Sequence, residues 1–212
     1  PASVTQSPEA TSTQLTDDTY RIYVFDNDQS AVNFTIESNV TDVSGTFDLL
    51  GRWFEFIYVP EEDAWRALLV LDIDGASVDT GSGLVDSLIR LGFEAERYPV
   101  GRFVGESETL VTDLSETNQI VMSGQVELSG QVRDLRVPVT FRINDGTLTA
   151  NAQFEIDARE FGVDFPEGVG GNILDSKIRV VAHEADEATI DEIVAEMESL
   201  MSTPASDSIV DE

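Results

Sequence analysis

The chain has no cysteine, which excludes disulfides, thiolate metal centres and the acylated cysteine that anchors a bacterial lipoprotein. It has one histidine, His183, and one lysine, Lys177. A lone imidazole without a thiol cannot build a His-rich metal site or a Cys–His dyad. No nucleophile-elbow motif supports a serine triad around it. Long apolar runs are also missing. The longest, Ala67–Leu71, falls far short of the ~18 residues of a membrane-spanning helix and reads as a buried strand. Positive charge is scarce: 12 Lys and Arg stand against 41 Asp and Glu, a net charge of −29. Such a field repels nucleic acid and anionic headgroups. Because ~1 M salt shortens the Debye length to ~3 Å and relieves self-repulsion, the acidic composition reads as a halophilic adaptation.

What is present is enough for a core: 41% of the residues are hydrophobic, which argues against wholesale disorder. Residues 1–19, rich in Ser, Thr, Pro and Gln, cannot offset their ordering entropy by burial and read as a flexible polar linker. Residues 202–212 read as a flexible acidic tail. A start at Pro1 ahead of such a linker suggests a cleaved export signal, so a periplasmic or extracellular location is expected.

Between the tails the pattern is that of strands. Val32, Phe34 and Ile36 alternate with Asn33, Thr35 and Glu37. Further β-rich runs cover Tyr20–Asp26, Thr41–Leu49, Trp53–Val59, Trp65–Ile73, Arg102–Glu106, Ile120–Leu128, Val137–Ile143, Leu148–Ile156 and Lys177–His183. Asn144-Asp145-Gly146 is a hairpin signal. Many short strands with tight turns favour an all-β antiparallel barrel or sandwich. Two segments have helical spacing instead. Leu84, Val85, Leu88 and Leu91 follow Gly81-Ser82-Gly83. Over residues 186–201, Ile190, Ile193, Val194, Met197, Leu200 and Met201 form an apolar stripe, with Thr189 and Glu192 placed as a capping box.

Two motifs suggest chemistry and are read as structure. Asp79-Thr80-Gly81 matches half of an aspartic-protease site, but that chemistry needs two carboxylates sharing a proton and no second copy occurs; a turn from strand to helix is expected. Asp26, Asp28, Ser30 and Glu37 have calcium-loop spacing, yet the glycine position is Ala31 and the flanks read as strands. No metal site and no enzyme activity are expected.

In this order the segments resemble the YceI-like family of exported polyisoprenoid-binding proteins. The likeness is carried by Ser30-Ala-Val32-Asn-Phe34 as a first hairpin, Val43-Ser-Gly45-Thr-Phe47, and Asp79-Thr80-Gly81 through Asp86, Phe93 and Tyr98-Pro99. Gly124–Gly130 with Val137-Pro138-Val139, and Asp157–Gly162, complete it. Gln29 and Leu88 stand where family members usually carry histidine, and Val85 replaces a basic residue. The resemblance implies a closed antiparallel lipocalin-like β-barrel of about eight strands over residues 20–185, with a short helix in one connection and a C-terminal amphipathic helix. It implies a non-catalytic protein that sequesters or carries an isoprenoid lipid, polyprenyl chain or quinone, with no other cofactor. The expected lumen residues are Phe34, Ile36, Phe47, Phe54, Phe56, Leu88, Phe93, Phe103, Phe141 and Phe154. The alternative is an accessory subunit of an extracytoplasmic assembly, docking through its tails and terminal helix; a homodimer is a further possible partner arrangement.

Overall fold

The computed structural model describes residues 19–37, 41–165 and 169–193. Nine strands run β1 (Tyr20–Phe25), β2 (Ala31–Ile36), β3 (Val43–Val59), β4 (Ala64–Asp79), β5 (Val100–Ser107), β6 (Asn118–Leu128), β7 (Gln131–Asn144), β8 (Thr147–Asp157) and β9 (Ile173–Glu184). All pair antiparallel with their neighbours, and the β3–β4 pairing closes the sheet on itself.

The ring has eight staves because β1 and β2 share one. β1 lies between β3 and the end of β9, and β2 lies between the start of β3 and the first half of β9. A 3₁₀ turn at Asn27–Gln29 separates them, capped by the Asp26 carboxylate, which accepts from the Gln29 amide. The first hairpin expected from sequence is therefore one broken strand followed by a return in β3. The hydrogen bonds explain the break: Ser30 donates to the Asp26 carbonyl oxygen at 2.6 Å and accepts from the Val181 amide at 3.0 Å, which fastens the turn to β9.

The two runs expected at Thr41–Leu49 and Trp53–Val59 merge into β3 through a bulge at Leu50, followed by Gly51 and Arg52, both at positive φ. The inward pair Phe47 and Leu49 stands an odd number of positions from the inward pair Phe54 and Phe56, and the bulge resets the alternation so that both pairs face the core. Arg52, just beyond the bulge, is held by its bond to Asp72 at 2.8 Å, and Arg102 grips the same carboxylate through two bonds of 2.8 Å. Burial pushes the Asp72 carboxyl up, but the two guanidinium groups outweigh it and hold the group below the usual range.

Helix α1 (Gly83–Gly92) sits in the β4–β5 connection. Asp86 and Ile89 are its buried residues, with Val85 and Leu88 packed beside them, whereas Leu84 and Leu91 are 73% and 69% exposed. Half of the leucine stripe expected to pack thus faces solvent, because the carboxylate of Asp86 occupies the inner face. There it accepts from the Thr80 amide and hydroxyl at 2.8 and 2.6 Å. Helix α2, described over residues 187–193, lies outside the barrel. Its cap is Asp186, which accepts from the Thr189 amide and hydroxyl. Thr189 is therefore in the first turn and is not the capping residue. Ile190 and Ile193 pack on Ile22 and Trp53 of the outer wall. The remainder of the expected stripe, from Val194 onward, lies outside the described residues.

Candidate lipid-binding lumen

Alternation on the long strands sends one set of side chains into the barrel, where they form a single core running from β1 round to β9. The core is not solid. It surrounds a narrow cavity of about 140 Å³, smaller than the ~300–1,000 Å³ of a typical small-molecule site. The cavity wall is hydrocarbon. Tyr98, Arg102, Asn151 and Ser176 are the lining residues with polar side chains. Strand alternation turns Arg102 and Asn151 outward, so Ser176 is the polar side chain of the strand wall and Tyr98 stands at the mouth.

Six of the ten expected residues line this space: Phe34, Phe47, Phe54, Phe93, Phe103 and Phe154. Two glycines make room for them. A Cβ on Gly45 would come 2.8 Å from the Phe34 ring and 2.7 Å from the Asp79 carbonyl oxygen, so the bare backbone lets Phe34 lie flat on β3. Gly130, at φ 70°, leaves the space filled by the Tyr98 ring. The Ser129 hydroxyl of the same turn donates to the Phe93 carbonyl oxygen at 2.9 Å. The mouth is thus held by the β6–β7 turn and by a run of rings: Phe34 to Phe47 at 4.9 Å, Phe47 to Phe93 at 6.1 Å, and Phe93 to Phe165 at 5.2 Å.

The other four stand elsewhere. Phe56 and Phe141 do not line the cavity; they stack with Phe54 at 5.1 and 5.7 Å, and with each other at 5.3 Å, and plug the far end. Ile36 is fully buried in the same core, beyond the lumen wall. Leu88 packs against the core from α1. The aliphatic half of the wall, including Leu69, Leu71, Val126, Val137, Val139 and Val180, was missed by attention to phenylalanine. Period-two alternation on strands already recognised would have found it. Phe165 carried no such signal, since it lies in an irregular segment.

The chemistry-bearing motifs resolve into turns. The Asp79 carboxylate accepts from the Gly81 amide at 2.8 Å, and Gly81 adopts φ 76°. Asp26 is the cap of the 3₁₀ turn and contacts His183 Nε2 at 3.3 Å. A hydrogen bond from the Gln29 side chain is the main cause holding the Asp26 carboxyl low. Among the described residues no group of three or more His, Asp or Glu could hold a metal ion.

Three solved structures share this architecture. BcnA of Burkholderia cenocepacia is 22% identical with a TM-score of 0.57, over 74% of this chain and 99% of its own. A polyisoprenoid binding domain from Saccharophagus degradans, implicated in plant cell wall breakdown, is 16% identical with a TM-score of 0.57, over 79% and 99%. A YceI protein of Campylobacter jejuni is 16% identical with a TM-score of 0.54, over 71% and 90%. At these identities the likeness shows the fold alone. No curated protein matches the chain. The sequence profile of the YceI-like domain, however, matches residues 23–184, from within the first stave to the last residue of β9, and the chain therefore belongs to the YceI-like domain family.

Proposed function

We propose that this protein is a non-catalytic carrier or reservoir that holds an isoprenoid lipid in the barrel lumen, outside the cytoplasm. The observation that carries this reading is a narrow cavity in the core whose strand wall is hydrocarbon apart from Ser176. A prenyl chain is a slim, methyl-branched hydrocarbon of matching chemistry. Removing several hundred Å² of it from water contributes roughly 10 kcal/mol before the cost of association, at ~25 cal/mol per Å². The similar Saccharophagus domain is described as polyisoprenoid binding, which supports the same class of ligand. The accessory-subunit alternative is less favoured, because the described turns of α2 use Ile190 and Ile193 against the barrel itself.

The test is lipid extraction and mass spectrometry of the protein purified from its host, followed by reloading of the delipidated protein with a polyprenol and with an isoprenoid quinone. A stoichiometric isoprenoid is expected. Phe34→Asp should abolish reloading, because a carboxylate in this wall has no partner and is costly to desolvate. A native protein that carries no lipid and takes up neither probe would overturn the proposal.

A further inference from the structure

The barrel wall has a window. β7 pairs with β6 from Asn118↔Phe141 to Leu128↔Gln131, and β8 pairs with β9 from end to end. Between β7 and β8 the ladder runs only from Asn144↔Thr147 to Val139↔Ala152. Beyond it, β8 continues for another five residues to Asp157, about 17 Å at ~3.3 Å per residue. Pro138, which has no N–H to extend a ladder, stands at the lip. The 3₁₀ turn at Ala158–Phe161 returns against β7 and bounds the gap at the rim. Inward residues beside the gap, Leu135, Ala152, Phe154 and Ile156, are only half-buried, while Leu69, Leu71 and Phe103 across the lumen are buried.

Outside the window lies a groove of about 460 Å³ that shares Asn151, Ala152 and Ile178 with the lumen wall. Its polar surface follows from register: Asn33, Lys177 and Gln153 form one row across β2, β9 and β8, and Arg179, Asn151 and Thr140 form the next. None of the groove residues is acidic, although the chain has 41 Asp and Glu. Lys177 and Arg179 are two apart on β9 and project from the same face. Among the described residues, Lys177 has only Asp175 at 3.9 Å, and Arg179 gives one bond to the Gln29 carbonyl oxygen at 3.3 Å. Both keep donors for another anion.

We infer that the lipid held in the lumen is a phosphate ester whose headgroup leaves through the β7–β8 window and is bound by Lys177 and Arg179. The inference rests on the lumen reading above. Arginine's planar fork and lysine's point charge suit phosphate oxygens. The net negative charge of the chain disfavours an anionic headgroup over most of the surface, but this groove is lined by no carboxylate and by two cations, so the local field there has the opposite sign.

The experiment uses the full chain at physiological salt and a length-matched pair, a polyprenol and its monophosphate, with affinities read by native mass spectrometry. The monophosphate should bind about tenfold tighter, the effect of two exposed charge contacts. Lys177→Gln with Arg179→Gln should erase that preference and leave the polyprenol affinity within about twofold. Arg142→Gln, on the same strand wall outside the groove, should change neither. Equal affinities in the wild type, or a preference that survives the double substitution, would overturn the inference and leave the lumen reading standing. Inorganic phosphate bound as tightly as the monophosphate would assign the groove to a free anion and also overturn it. Failure of both lipids to bind removes the lumen reading and the inference together.

Discussion

Phe141→Ala tests whether the far end of the lumen is a plug. Phe141 is 1% exposed, with its ring 5.7 Å from Phe54 and 5.3 Å from Phe56. Its backbone is held on both sides, opposite Asn118 on β6 and Ala150 on β8, so the strands cannot collapse into the space the ring leaves. Truncation of a buried phenylalanine at a site that cannot relax costs ~3–5 kcal/mol; the two ring contacts, each ~0.5–1.5 kcal/mol, are part of that figure. For a domain of this size each kcal/mol lowers the melting midpoint by ~2–4 °C, so a fall of roughly 6–20 °C is expected. Urea unfolding followed by far-UV circular dichroism measures it, with an unchanged slope confirming that stability alone has moved. The new space adjoins Phe54 at the lumen floor, so the variant should regain more stability from a longer prenyl chain than the wild type does, as ligand binding to the folded state requires. A loss under about 1 kcal/mol, with no change in preferred chain length, would refute the plug.

Glu55 is 3% exposed on the outer wall, and burial raises its carboxyl above the ordinary value, while the neighbouring Tyr20 hydroxyl opposes the rise. The folded state thus holds a proton that the unfolded chain releases first. Stability is fully present below the unfolded value and falls as pH climbs from there through the folded one. Glu55→Gln should remove this component, so the difference in melting temperature between variant and wild type should grow with pH above about 4.5; a pH-independent difference would refute the burial argument. Gly124→Ala should destabilise strongly, because a Cβ there overlaps the Val104 carbonyl oxygen and the Gly105 backbone; calorimetric midpoints within a degree of wild type would contradict it. With a net charge of −29, the wild-type midpoint should rise between about 0.1 and 2 M NaCl as self-repulsion is screened. A flat profile would remove the saline reading of the composition.

The barrel was legible because its strands obey period two over lengths that no other regularity explains. Val32, Phe34 and Ile36 point inward as their spacing requires. Legibility failed where a single residue changes phase. The bulge at Leu50 joins two runs that read as separate strands, and no propensity marks the following arginine at φ 132°. The break between β1 and β2 was hidden for a related reason: which two strands pair is decided by β9, more than a hundred residues away. In the lumen, phenylalanine was a good guide to burial and a weaker one to position, since depth along the barrel axis separates Phe54 on the cavity from Phe56 and Phe141 in the plug. Helix α1 shows the opposite case. Its leucine spacing was correct, but Asp86 took the inner face through Thr80, a polar contact that apolar periodicity does not register.

The placement of the final strand governs when this molecule can exist. In chain order β9 is the last of the described strands and completes the ring, pairing with β8 along its whole length, with β2 from Ala31↔Arg179 to Ile36↔Leu174, and with the end of β1. During synthesis every earlier strand can find its hairpin neighbour, yet the half-made sheet keeps two open edges until residues beyond 173 arrive. Closing a loop that long is entropically slow, and open edges invite pairing with other chains. The dense negative charge then serves the nascent chain, holding unfinished copies apart until the last strand closes the ring.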